Sequence, residues 1–157
     1  MDNIEIIETG FNALCEAYAN GGISFSRSAL YSDLYFHKDN PRRNHHRFTY
    51  VSMNDNREII AMCAFVLSLE TGTTDSGWYV REDYRGKGIG KRTVDKAFNE
   101  FKNGVKSTGA KRLVIGATID EGNAPSISLG RTFIGGEEVI EKADGSVIYS
   151  YLDEIQF

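Results

Sequence analysis

The sequence predicts one α/β domain built on a mixed, mostly antiparallel sheet with flanking helices and a single central βαβ unit. Three observations carry this. A strand pattern at Asp75 to Val80, a long amphipathic helix and an apolar strand at Arg112 to Thr118 follow one another directly, and such a crossover makes its two strands parallel. A hairpin precedes that unit, with two more strands after it. The chain has 157 residues, the size of one core, so the domain is expected to span residues 1–157.

Taken in order, alternating apolar positions at Ile4 to Ile7 suggest a short opening strand. Phe11, Leu14, Cys15 and Tyr18 then recur at helical spacing up to Gly21-Gly22. A second helix is read from Ser26, with Leu30, Leu34 and Tyr35 as its apolar set. It must finish before Asn40-Pro41, because a residue preceding proline is pushed out of the helical region. Arg42 to Arg47 reads as a basic loop. Phe48 to Met53 and Glu58 to Leu69 form a hairpin across Asn54-Asp55-Asn56-Arg57, residues that tolerate turn geometry.

Past the strand at Asp75 to Val80, one stripe of Ile89, Val94, Ala97, Phe98, Phe101 and Val105 marks the long helix, which ends near Gly109. A short helix from about Asn123 to Phe133 follows the next strand. Strands at Glu138 to Lys142 and Val147 to Leu152 close the chain across Ala143-Asp144-Gly145. No repeat, linker or low-complexity segment interrupts this pattern.

Composition excludes several classes. With 41% hydrophobic and 25% charged residues the chain is neither disordered nor fibrous. Its longest apolar run, Ile59 to Leu67, is far shorter than the roughly 20 residues that cross a bilayer. The start Met1-Asp2-Asn3-Ile4-Glu5 is acidic where a signal peptide is basic and then apolar, so a cytoplasmic setting is expected. Cys15 and Cys63 lie far apart without a second Cys or His at ligand spacing, and adjacent His45 and His46 cannot chelate from one helical face. No metal is expected.

The chemistry concentrates in Val80-Arg81-Glu82-Asp83-Tyr84-Arg85-Gly86-Lys87-Gly88-Ile89-Gly90-Lys91-Arg92, between the strand and the long helix. Glycines there allow backbone N–H groups to approach a ligand closely, and the helix start adds unpaired donors and the positive end of its dipole. Lys87, Lys91 and Arg92 put cations at the helix end that disfavours them, in a protein of net charge −4, so an anion is expected to offset them. A P-loop would need glycine at Arg85 and Ser or Thr at Arg92. A dinucleotide fingerprint would need glycine at Lys91, so both are excluded.

Arg85-Gly86-Lys87-Gly88-Ile89-Gly90 resembles the Arg/Gln-x-x-Gly-x-Gly/Ala signature of the GCN5-related N-acetyltransferase (GNAT) family, with Arg85, Gly88 and Gly90 as the matching residues. The resemblance runs in order from the hairpin through the long helix to Asn123-x-x-Ser126-x-x-Leu129, about two-thirds of the chain. It implies a GNAT-like fold and acetyl-CoA as co-substrate, held by Val80, Glu82, Arg85, Gly86, Lys87, Gly88, Ile89, Gly90, Lys91, Asn123 and Ser126. A bulge in the strand at Trp78 to Val80 is implied as well, with the backbone at Val80 and Glu82 pairing with the pantetheine arm. The donor for the thioester oxygen would be an N–H there, placed at Val80, and such a donor is worth roughly 3 to 4 kcal/mol.

Two positions depart from the family. Its frequent acid tyrosine falls on Gly130, and the glutamate of its histone-type members falls on Thr74 or Asp75. Glu70 and Asp75 are therefore the candidate bases, and Tyr84, Tyr149 or Tyr151 the candidate acids. Lys38, Arg42, Arg43, His45, His46 and Arg47 form one basic cluster, either a solvated loop or the reader of an anionic acceptor. The expected reaction is acetyl transfer from acetyl-CoA directly to a primary amine of a small molecule, peptide or protein, by a monomer or homodimer. Alternatives are a nucleic-acid-directed enzyme, for example one acting on aminoacyl-tRNA, and a CoA-binding module without catalysis.

Overall fold

Among the described residues, eight strands form one sheet in the spatial order β1-β2-β3-β4-β5-β6-β8-β7, and three helices flank it. The computed structural model describes residues 3–157, so the first two residues of the acidic start lie outside the described part. The elements are α1 (Asn3–Ala19), β1 (Ser26–Arg27), β2 (Tyr35–Asp39), β3 (His45–Met53), β4 (Ile59–Ser68), β5 (Thr73–Val80), a 3-10 turn (Glu82–Tyr84), α2 (Ile89–Ser107), β6 (Arg112–Asp120), α3 (Ala124–Phe133), β7 (Glu138–Glu141) and β8 (Val147–Gln156). Only β5 and β6 pair in parallel, as the βαβ pattern requires.

Three expectations about the first fifty residues are corrected. Ile4 to Ile7 belong to α1, not to a strand, because Ile4, Ile7, Phe11, Leu14 and Tyr18 continue one helical stripe that a four-residue alternation imitates. The helix expected from Ser26 is absent. Ser26–Arg27 and Tyr35–Asp39 instead pair with each other, and Tyr35–Asp39 pairs with β3. The intervening turn is tied to α2 by Glu100, which accepts hydrogen bonds from Ala29 N (2.8 Å) and Leu30 N (3.0 Å). The basic stretch is only partly a loop, since His45, His46 and Arg47 begin β3.

The two faces of the sheet are packed differently. Toward α2 and α3, Phe65 of β4 stacks on Phe101 at 4.3 Å between ring centroids and meets Phe98 edge-on at 4.9 Å. Trp78, Ile115 and Tyr151 complete that large core. Toward α1 the core is smaller, built on Phe11, Val51, Ile59 and Met62 with Ile7, Leu14 and Tyr79 against them. Alternation along each strand decides which residues face α1. The register sets them in transverse rows: Tyr35–Val51–Met62–Tyr79, then His37–Thr49–Ala64–Gly77, then Asp39–Arg47–Val66–Asp75. Only the first row is filled with large apolar side chains.

Candidate active site

The site begins where β5 and β6 part. Their parallel pairing ends at Asp75↔Gly116, and Ser76 Oγ then donates to Gly116 O at 2.7 Å. Arg81 N donates to Ile60 O (2.9 Å), so the antiparallel alternation directs the backbone groups of Trp78 and Val80 away from β4, into the opening left by β6. The β4–β5 register is continuous from Thr74 to Val80, so the expected bulge is absent. The opening comes from the splay of β5 and β6, which sequence periodicity does not reveal.

A cavity of about 560 Å³ fills the opening, lined by β5, β6, the start of α2 and α3, and the first turns of α1. Val80, Arg85, Gly86, Gly88, Ile89, Gly90 and Lys91 line it, as do Asn123 and Ser126. Gly86 and Gly88 both have φ of +75°, a left-handed conformation suited to glycine, and Gly88 caps α2 without a side chain. The first N–H groups of α2 therefore lack intrahelical partners. A Cβ on Gly90 would lie 2.8 Å from Val80 Cγ2, so the helix start and the end of β5 approach more closely than a side chain at 90 allows. Arg85 Nε donates to Val80 O at 3.0 Å and its guanidinium lies 5.2 Å from the Tyr79 ring centroid. These donors, cations and small residues fit a pyrophosphate at the loop.

Glu82 and Lys87 stand outside the cavity lining. Glu82 opens the 3-10 turn and is exposed, while Lys87 Nζ sits 5.2 Å from the Tyr84 ring centroid and donates to Asp83 O at 3.5 Å. On the far wall Asn123 caps α3, its side chain accepting from Ser126 N, and Ser126 Oγ accepts from Trp78 Nε1 at 3.2 Å. Tyr79, which the sequence reading did not single out, lines the cavity, and burial raises its pKa. Tyr84 lines it too, with Asn54 Nδ2 donating to its hydroxyl at 3.1 Å.

The other tyrosines named from sequence are elsewhere. A Cβ at Gly130 would lie 2.6 Å from the Tyr151 ring, so that ring fills the space a larger residue at 130 would need. The Tyr151 hydroxyl donates to Glu137 Oε1 at 2.7 Å, and burial together with that carboxylate pushes its pKa up to about 12. Arg131 clamps the same Glu137 and holds its carboxyl below the usual range. Tyr149 packs against the large core and lines neither this cavity nor the next.

A second cavity of about 640 Å³ lies between α1 and the sheet. It shares Asn3, Ile7, Ser76, Gly77, Ala117 and Thr118 with the first, so the two meet at the splay. Asp75 lines it at that junction. Glu70 does not line it; exposed in the β4–β5 turn, it accepts from Asn44 Nδ2 at 3.0 Å. Asp120, at the end of β6, accepts from Asn3 N (2.8 Å) and Ile4 N (3.3 Å) and pins the start of the roofing helix.

The basic cluster does not form one patch. Arg47 lines the second cavity, held by Asp39 through Nε (2.9 Å) and Nη2. Lys38 lies over Phe48, on the opposite face, and Arg42 and Arg43 are exposed in the β2–β3 turn. Among the described residues no three His, Cys, Asp or Glu are grouped to hold a metal, and no helix is long and apolar enough to cross a membrane.

Comparison with known proteins bears on the fold and the family. None of the curated proteins matches the chain. Among solved structures, a GNAT-family acetyltransferase from Streptococcus pneumoniae superimposes with a TM-score of 0.54 at 16% identity, over 73% of this chain and 70% of that one. A provisionally assigned acetyltransferase from Acinetobacter baylyi gives 0.51 at 19%, over 71% and 64%. Another, from Salmonella typhimurium with its cofactor acetyl-CoA, gives 0.49 at 21%, over 70% and 64%. The profile of the Acetyltransferase (GNAT) family matches residues 11–133, from within α1 to the end of α3, and the chain belongs to that family of acetyl-CoA-using acetyltransferases.

Proposed function

We propose that the protein transfers acetyl from acetyl-CoA directly to a primary amine of a small molecule. The observation that carries this is the meeting of two cavities at the splay of β5 and β6, one ending on the glycine-rich loop and the other roofed by α1. Acetyl-CoA supplies the thioester: the amine nitrogen bonds the acetyl carbon as the carbon–sulfur bond breaks, and coenzyme A leaves as the thiol. Arg85, the glycines and the first N–H groups of α2 hold the pyrophosphate. Val80 N–H, directed into the opening, would donate where charge develops on the thioester oxygen, and Trp78 N–H lies roughly 7 Å further along the strand.

An amine of pKa about 10.4 must first lose a proton, which at neutral pH costs roughly 4 to 5 kcal/mol. Asp75, exposed at the junction and five residues before Val80 on the same strand, roughly 16 Å along it, takes the proton through intervening water. The thiolate takes a proton from the cavity's own hydroxyls, among them Tyr79 and Tyr84. Direct transfer needs no nucleophile from the protein, and Cys63 is fully buried in the aromatic core with its pKa raised. Free thiols at Cys15 and Cys63 suit a cytoplasmic setting.

A roof over the acceptor cavity favours small amines, and the dispersal of the basic cluster leaves no continuous surface for a nucleic acid. A thiol-release assay with acetyl-CoA tests this against small amines, aminoglycosides, polyamines, peptide amino termini and aminoacyl-tRNA. Release with small amines is the expected result. Turnover confined to peptides or aminoacyl-tRNA would overturn the acceptor class, and coenzyme binding without turnover of any acceptor would overturn catalysis.

A further inference from the structure

Building on that reading, we propose that the acceptor carries a carboxylate as well as its amine, and that Arg47 reads the carboxylate while Asp75 draws the amine end toward the junction. Arg47 and Asp39 face each other as direct partners across β2 and β3. Asp39 occupies the Nε–Nη2 edge of the guanidinium and fixes its plane. A guanidinium has a second edge, Nη1–Nη2, of the same fork geometry, and that edge remains for a ligand. Arg47 is the one Lys or Arg lining the acceptor cavity among the described residues.

The opposite charge stands at the other end of the same row. Asp39–Arg47–Val66–Asp75 crosses four strands, so Arg47 and Asp75 are two strand spacings apart, roughly 10 Å. Val66 and Ala64 lie between them, with Ile6 and Ala13 of α1 also on the wall. An open guanidinium edge beside its Asp39 partner, an apolar middle and an anionic pole at the junction complement a molecule with a carboxylate, an apolar stretch and an ammonium in that order. A dication would have to compete with Arg47 for Asp39, which lines the same cavity. A plain alkylamine would leave the open edge of the guanidinium without a partner.

The test compares 6-aminohexanoate with 6-aminohexanamide and hexylamine, and 5-aminopentanoate with 5-aminopentanamide, in thiol release with acetyl-CoA. In at least one pair the carboxylate should be used at least tenfold more efficiently than its amide. Arg47→Lys keeps the charge but loses the fork. It should raise KM for the carboxylate about 10- to 100-fold, leave kcat within a few-fold, and leave the amide and acetyl-CoA constants unchanged. A thermal melt and Asp39→Asn, which frees the guanidinium without removing it, separate misfolding from lost recognition.

Equal efficiency within both pairs, or a preference that survives Arg47→Lys, overturns the proposal. The same probes titrated by protein-detected NMR into protein saturated with coenzyme A report binding without turnover. Failure of all amines in thiol release defeats the transfer reading. A carboxylate preference in binding that Arg47→Lys removes still supports this one, and its absence overturns it.

Discussion

The two faces of β4 and β5 differ sharply although they alternate along the same strands. Toward α2, Cys63, Phe65 and Trp78 fill the interface with aromatic packing. Toward α1, the same strands present Ala64, Val66, Asp75 and Gly77, and a cavity stands where side chains would be. One face carries the larger core and the other leaves a hollow beside a smaller one. An α/β domain of this size can leave a cavity on one side of its sheet because the larger cluster lies on the other.

The sharpest way to break that comparison is to exchange the roles of neighbouring residues. Phe65→Ala should destabilise the protein by about 3 to 5 kcal/mol, since it empties a site touched by Tyr50, Phe98 and Phe101. Ala64→Leu, one residue away on the hollow face, should leave the denaturation midpoint nearly unchanged and raise the acceptor KM. Equal losses of stability from the two, measured by urea unfolding, would show that the α1 face is part of the core.

Gly90→Val tests the seam between loop and sheet. The clash with Val80 forces the helix start away from β5, and coenzyme affinity should fall at least ~100-fold by calorimetry, about 2.7 kcal/mol. Some stability is lost with it, because the contact is also structural. Gly88→Ala places a side chain at φ +75° and 3.0 Å from Arg92 Nη1, for a loss of about 1 to 2 kcal/mol in stability and a smaller one in affinity. Unchanged coenzyme affinity in both folded variants would remove the loop from the site.

Asp75→Asn keeps the shape of the hollow face and removes its charge. Turnover should fall roughly 10- to 100-fold, short of the ~10,000-fold extreme for a lost general base, because an exposed site lets water substitute. Coenzyme affinity should not move. A variant with full activity at every pH would take Asp75 out of proton transfer. Glu70→Gln and Tyr149→Phe, outside both cavities, should leave turnover unaltered, and loss in either would redraw the site.

A small effect on stability is expected on the packed side. Tyr151→Phe removes one hydrogen bond to Glu137, a loss of about 1 kcal/mol, and should not change kcat. The sign with pH follows from the raised tyrosine. Unfolded, it ionises near 10 and folded only near 12, so the native state holds the extra proton and stability falls as pH rises from about 10 to 12. That alkaline loss should be smaller in Tyr151→Phe.

Local chemistry accounts for what the sequence determined unaided. Arg85, Gly86, Gly88 and Gly90 lie within six residues of one another next to a helix start, so spacing alone marks a glycine-rich turn suited to an anion. The long helix and the strands on either side of it are equally local, since a 3.6-residue stripe and a run of apolar residues need no distant partner to be recognised. The same four-residue windows misled at Ile4 to Ile7, where strand and helix patterns coincide, and from Ser26, where pairing with β3 outweighed helical spacing.

Tertiary structure alone decided where β5 and β6 separate, because that depends on how two strands more than thirty residues apart are registered. It alone brought Asp39, Arg47 and Asp75 into one row and removed Glu70 and Tyr149 from it. Transverse neighbours in a sheet are set by pairing between strands, and a chain read from end to end carries no periodic signal for which residues will lie side by side across it.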